Sequence, residues 1–223
     1  MPIGITTEHE ELRQAVRRFV ETRITPAVMR AALDAAQEEK PPFWAALREP
    51  GWLGLHIAEA NGGAGFGLVE QAVVIEELGR AAAPGPYVPT VVAAAVLDAA
   101  GGPAALLAHL ASGERTGAVA LTGTQPVLGG GRADVIVCEV EGAWYALDAD
   151  AVTRTPLQSV DPTRPVVRVE PGRVAADRRL AITTERVQQI AAVLFAAEAI
   201  SVAQWCVDTA AEHAKARVQF GRP

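Results

Sequence analysis

Glycines at 62, 63, 65 and 67 lead into a helical stretch that starts at Leu68. Backbone amides left free at a helix N-terminus can hold an anion. Glycines clustered this tightly also serve a loop that only needs close packing and positive φ angles, so both readings stand. The cluster is not the dinucleotide fingerprint, because the glycine spacing is wrong and no apolar strand run of ordinary length precedes it. Gly129-Gly130-Gly131 reads as a turn, since neither a Lys-Ser/Thr pair nor a helical pattern follows it. The histidines at 9, 56, 109 and 213 include no i, i+3 or i, i+4 pair, and Cys138 and Cys206 are far apart in sequence, so no metal site is expected. A Gly-x-Ser-x-Gly nucleophile elbow is absent. Glu38-Glu39 and Glu76-Glu77 are adjacent carboxylates. Neighbours on a helix point about 100° apart, which suits solvation better than an acid/base pair. Arg217, at the end of a long helical stretch, reads by itself as a cation placed against the helix dipole.

The elements that must position these residues come from 223 residues, half of them hydrophobic, with a net charge of −6. That length allows one or two domains with a real core. A mildly acidic chain offers no broad attraction to phosphate, so neither nucleic acid nor an anionic membrane is an expected partner. Two cysteines make no disulfide framework and suit a reducing cytoplasm. The polar, acidic stretch from Met1 to Glu11 has no signal-peptide pattern. Apolar runs such as Val88–Ala100 are short for a membrane span of ~20 residues.

Thr7-Glu8-His9-Glu10 has the form of a capping box. Leu12, Val16, Phe19, Val20 and Ile24 follow at helical spacing, and Pro26 ends or interrupts that helix. A second helical segment runs to about Lys40 and a short one covers Phe43 to Arg48. Helices are expected from Leu68, over Val88–Ala100 and over Pro103–Ala111, the last stopped by Ser112-Gly113. From Gly117 the texture turns to β: Ala118–Thr122, Ala133–Val140, a hairpin partner Ala143–Leu147 across Glu141-Gly142, and Val166–Val169 after the turn Asp161–Arg164. From Thr183 helical texture runs to about Ala216, ~50 Å at ~1.5 Å per residue. Val187, Ile190, Leu194 and Ala197 mark its stripe. A helix this long needs packing partners. The expected fold class is α+β: an N-terminal all-α bundle over 1–115, a small, shortened β domain over 116–182, and a long helix over 183–223.

The string Arg217-Val218-Gln219-Phe220-Gly221-Arg222-Pro223 closely resembles one found in the flavin-dependent acyl-CoA dehydrogenases, where the central sheet domain hands over to a C-terminal helical bundle. Ala58-Glu59-Ala60-Asn61-Gly62-Gly63-Ala64-Gly65 is similar to the family's Pro-Glu-x-Tyr-Gly-Gly-x-Gly, without its Pro and Tyr. Glu76-Glu77-Leu78-Gly79 resembles its Glu-Glu-x-Gly helix end, and Ala83-Pro84-Gly85-Pro86-Tyr87 is also similar to members of the family. The resemblance implies the acyl-CoA dehydrogenase fold without its C-terminal helical domain. It implies FAD as cofactor, an acyl-CoA substrate dehydrogenated at Cα–Cβ, and a homo- or hetero-oligomer with other subunits of the family. An electron-transfer flavoprotein is among the partners such a resemblance allows, and the sequence does not name the electron acceptor. Arg217 would contact the FAD pyrophosphate, Gln219 would hydrogen-bond nearby, Phe220 would pack on the cofactor, and Thr122 of Leu121-Thr122 would bond the flavin. The family's Glu-Pro-x-x-Gly-Ser-Asp and Trp-Ile-Thr segments have no counterpart here. Its catalytic glutamate falls beyond the position of Pro223, so no residue of this chain is the expected base. The alternative implied by the shortened β domain is a non-catalytic subunit that supports a partner's site in a heteromeric dehydrogenase.

Overall fold

The computed structural model describes residues 4–35, 39–121 and 126–219. Six helices come first: α1 (Thr7–Arg23), α2 (Pro26–Asp34), α3 (Trp44–Arg48), α4 (Leu68–Arg80), α5 (Tyr87–Ala99) and α6 (Ala104–Ala111). Seven short strands follow: β1 (Gly117–Val119), β2 (Val127–Leu128), β3 (Val135–Val140), β4 (Ala143–Asp148), β5 (Val152–Pro156), β6 (Val166–Pro171) and β7 (Arg179–Leu180). Helix α7 spans Thr184–Ala216. This is the α+β arrangement expected, with three strands, β2, β5 and β7, that periodicity did not reveal because they are short or irregular in pattern.

The helix starts follow capping chemistry. The box of α1 lies one residue earlier than the sequence suggested: Thr6 is the N-cap and His9, not Glu10, is the third helical residue. The His9 amide donates to Thr6 Oγ1 at 3.4 Å, and His9 Nδ1 accepts from the Thr6 amide at 3.0 Å. An imidazole acceptor thus takes the place of the usual carboxylate. Thr25 caps α2, with Pro26 in its first turn, where a missing amide costs nothing. Helix α2 ends at Asp34, short of the expected Lys40, and Pro103 stands at the cap of α6 rather than inside its first turn. Thr183 caps α7 by accepting from the Arg186 amide.

Two sheets divide the β part. One has the order β1-β3-β4-β7, with β1 parallel to β3 and the rest antiparallel; the other has the order β2-β6-β5. The β3–β4 hairpin turns at Glu141-Gly142, both at positive φ (51° and 80°), the two-residue turn whose twist matches paired strands. A small core of Ala118, Val127, Ile136, Leu147, Val167 and Val169 lies among the strands. The larger core joins α3–α6 to the other face of β1, β3 and β4 and to Val187, Ile190, Ala191, Leu194 and Ala197 of α7. Helix α5 is buried along nearly its whole length.

Helix α7 packs on α4 through its N-terminal half; beyond Ser201 its residues are mostly exposed. By length and composition alone it is apolar enough to cross a membrane, as core helices of soluble proteins also can be. Its buried stripe against α4 and its ion-paired Glu198 and Asp208 fit a helix packed in protein.

Candidate functional site

The glycine-rich loop is built by close approach. A Cβ on Gly63 would stand 2.1 Å from the Ile57 carbonyl oxygen, a backbone atom that cannot yield. Gly62 and Gly65 hold φ of 83° and 72°, the left-handed region glycine tolerates best. At the end of the loop Glu70 caps its own helix by accepting from the Gly67 amide at 2.9 Å. That amide is therefore occupied by a side chain of the protein, which favours the packing reading of the loop over the anion reading. His9 Nε2 donates to Glu70 Oε1 at 3.0 Å. Burial pushes the Glu70 carboxyl up, but the hydrogen bonds from His9 and from backbone amides outweigh it and hold the group below its usual range.

Below the loop lies a buried polar chain. His56 Nδ1 donates to Gln71 Oε1 at 3.0 Å; the Gln71 amide donates to the Trp52 carbonyl (3.0 Å) and to Tyr87 Oη (2.7 Å); Tyr87 Oη donates to Trp52 O at 2.8 Å. Gln71 has no exposed surface, and His56 Nε2 is buried with no hydrogen-bond partner among the described residues. Burial lowers the His56 pKa, partly offset by the Gln71 bond and the charge of Asp98. The ring is therefore neutral and structural.

Glu76-Glu77 is not a pair of solvated carboxylates. Glu77 is only 4% exposed, and Arg17 grips both its oxygens at 2.9 and 2.7 Å. Arg13 reaches Glu76 at 3.0 Å and Glu10 at 2.6 Å. The Glu-Glu end of α4 thus fastens α1, and the Glu77 hydrogen bond raises the Arg17 pKa. Gly79 makes the other face of α4 a close helix crossing, since a Cβ there would meet Ser201 Oγ at 2.4 Å and Glu198 Cγ at 3.1 Å.

The sheets reach α7 at two places. Trp144, 2% exposed, donates from Nε1 to Thr184 Oγ1 at 3.0 Å, and Thr184 in turn donates to Glu139 at 3.2 Å. Fourteen residues along the helix, Glu198 accepts from Arg164 Nη1 of the β5–β6 connection at 2.5 Å. Beside the first contact is an open cavity of about 630 Å³ lined by Ala99, Leu180, Ile182, Thr183, Arg179 and Arg186. Both arginines are exposed and have no acceptor among the described residues.

Of the residues expected at a cofactor, the structure describes Arg217 and Gln219. Arg217 is the C-cap of α7; its amide donates to the His213 carbonyl at 2.9 Å, and its exposed guanidinium has no partner among the described residues. Gln219 is exposed beside it. Thr122 and Phe220 lie outside the described residues. From Thr184, where the first sheet docks, to Arg217 is about 50 Å of helix, and from Glu198 about 28 Å. Arg217 and the sheets of its own chain therefore do not face one site. A guanidinium suits a diphosphate, and among the described residues nothing beside Arg217 would hold the rest of such a group. Sequence reasoning missed Arg164–Glu198 and Arg17–Glu77, because ion pairs between distant segments leave no periodic signal. Glu77 alone carried a hint, standing one residue before the apolar Leu78.

Residues 6–114 match the family model of the acyl-CoA dehydrogenase N-terminal domain. The chain is 35% identical over 221 residues to acyl-CoA dehydrogenase IpdE2 of Mycobacterium tuberculosis, covering 97% of this chain and 66% of that protein. It is 36% identical over 226 residues to IpdE2 of Mycolicibacterium smegmatis, covering 98% and 68%. It thus spans about two thirds of the length of these curated relatives. Among solved structures, the ChsE4-ChsE5 complex from Mycobacterium tuberculosis superimposes with a TM-score of 0.87 at 25% identity, over 100% of this chain and 71% of that one. Similarity that runs through helices, sheets and α7 alike identifies this chain as a member of the FAD-dependent acyl-CoA dehydrogenase family.

Proposed function

We propose that this chain is a subunit of an acyl-CoA dehydrogenase and that it lends Arg217, Gln219 and Phe220 to an FAD held largely by another subunit. The observation that carries this is the position of Arg217: exposed, without a partner among the described residues, and about 28 Å of helix beyond the last polar contact described between α7 and its own sheets. FAD, when bound, supplies a hydride acceptor for the β-hydrogen of the thioester. The residues of this chain bind and orient: Arg217 neutralises the pyrophosphate, Gln219 donates beside it, and Phe220 covers an apolar part of the cofactor. Thr122, outside the described residues, is the flavin contact expected of this chain's own β part. The cavity beside Trp144, with Arg179 and Arg186 on its wall, suits the phosphate-bearing end of an acyl-CoA. The base that takes the α-proton comes from a segment other than those described. The chain divides at about residues 115 and 182 into a helical part, a reduced β part and the first helix of a bundle, and its free Cys138 and Cys206 suit a reducing cytoplasm.

The small β part, with strands of two to six residues, favours a second form of this reading: a non-catalytic subunit paired with a homologous catalytic one. The ChsE4-ChsE5 relative is by its name a complex of two components. The test is to purify the full protein with any partner it retains, count FAD per chain, and add acyl-CoA without oxygen. Arg217→Ala should weaken FAD retention at least tenfold. One FAD per chain with bleaching by an acyl-CoA supports the enzyme; one FAD per two unlike chains supports the supporting subunit. Unchanged FAD retention in Arg217→Ala defeats both.

A further inference from the structure

Three parts of the molecule converge on Glu198. Its stem lies against α4 where Gly79 has no side chain: a Cβ there would come within 3.1 Å of Glu198 Cγ and 3.2 Å of the Glu198 carbonyl oxygen. Ser201 Oγ donates to that carbonyl at 2.7 Å. The carboxylate receives Arg164 Nη1 from the β5–β6 connection. Arg164 is itself held from behind, its Nε donating to Asp161 Oδ2 at 3.2 Å, while Asp161 Oδ1 accepts from the Thr163 amide (2.9 Å) and hydroxyl (2.6 Å). Both partners of the Arg164–Glu198 pair are more than four-fifths buried, so water screens it little. The other polar contacts described between the sheets and α7, Trp144 and Glu139 with Thr184, lie 14 residues away, about 21 Å along the helix. With the packing of α7 on α4, two points of attachment this far apart fix the angle between the helix and the sheets.

We propose that Arg164 and Glu198 are positioning residues: their ion pair sets the direction of α7 against the sheets and so aims Arg217 and Gln219 at the cofactor of the neighbouring subunit. This rests on the reading of Arg217 given above. The leverage is large. Arg217 lies about 28 Å beyond Glu198, so a rotation of 10° moves it about 5 Å, and binding constellations tolerate only about 0.5 Å. The described ion pair nearer the tail that joins α7 to another element, Arg80–Asp208, is about two-fifths exposed and holds weakly; Lys215–Glu212 lies within α7 itself.

The test uses the full protein with any partner it retains, spin-labelled at the exposed Cys206 of α7 and at Thr155→Cys on exposed β5; Cys138 is buried and stays unlabelled. Glu198→Gln and Arg164→Gln should each shift or broaden the interlabel distance by several ångströms and weaken FAD binding about tenfold, with far-UV circular dichroism unchanged. Arg164→Lys, which keeps the charge, should retain most of both properties. An unchanged distance distribution in Glu198→Gln and Arg164→Gln overturns the positioning role. A changed distance with FAD affinity intact leaves that role standing for the helix and overturns the cofactor contact of Arg217.

Discussion

A single neutral imidazole links acidity to the stability of the helical part. His56 is held with its proton on Nδ1, facing Gln71, and its other nitrogen is buried without a partner among the described residues. Protonating that nitrogen places a charge where nothing accepts it, so burial holds the folded pKa below the unfolded value of about 6.5. The unfolded chain then binds more protons than the folded one as pH falls through that value. Stability from this group is complete above about pH 6.5 and is lost as pH drops through and below it. Urea midpoints measured between pH 8 and pH 5 should fall more steeply for the wild type than for His56→Gln, which keeps a donor toward Gln71 and does not titrate. Parallel curves would remove His56 as the cause. Of this network the sequence showed only that His56 has no metal-ligand spacing. The residues that trap it, Gln71, Tyr87 and Trp52, lie 15, 31 and 4 positions away, and only the fold brings them together. Glu77 taught the same lesson with opposite sign: adjacency in sequence suggested solvent, and Arg17 from another helix buried it.

Elements were more legible than residues, because periodicity and caps are local. The starts of α4 and α7, the stripe on α7 and the β3–β4 hairpin could all be read from spacing and turn residues. The end of α2, the first residue of α6, the cap of α1 and strands β2, β5 and β7 could not, since tertiary contacts decide them. The site was legible only as motifs, and the structure gives one motif a physical reason. The glycine of Glu-Glu-Leu-Gly lets α4 and α7 touch. Alanine at 79 would gain about 1 kcal/mol of helix propensity, yet its Cβ would stand 2.4 Å from Ser201 Oγ and 3.2 Å from a backbone oxygen. Overpacking of this kind costs about 1–3 kcal/mol, so the clash should win and Gly79→Ala should lower the urea midpoint. Because Ser201 Oγ is the nearest obstacle, adding Ser201→Ala should recover part of the loss. Two substitutions whose effects simply add would show that the crossing does not depend on this contact.

At the scale of the whole molecule, the cores are closed but α7 is only half covered. Its first half sinks Val187, Ile190, Leu194 and Ala197 into the main core, whereas Val193, Ile200, Val202, Trp205 and Val207 stand in solvent. An exposed apolar set of this size on one helix marks an interaction surface, and burying one large apolar side chain is worth about 2 kcal/mol. Ile200 and Trp205 are the two to change. Neither belongs to the core, and neither makes a described hydrogen bond, so glutamate at both positions should leave far-UV circular dichroism and the urea midpoint of the chain unchanged. Charges there oppose whatever helix or subunit covers the face. Sedimentation should show the 223-residue chain associating with itself, or with a homologous subunit supplied to it, and the Ile200→Glu, Trp205→Glu protein associating at least tenfold more weakly, since two lost contacts of this kind exceed the 1.4 kcal/mol that a factor of ten requires. Equal association by both proteins would place the subunit contact elsewhere. The exposed guanidinium of Arg217, 12 residues beyond Trp205 at the end of the same helix, would then need another route to a neighbouring cofactor.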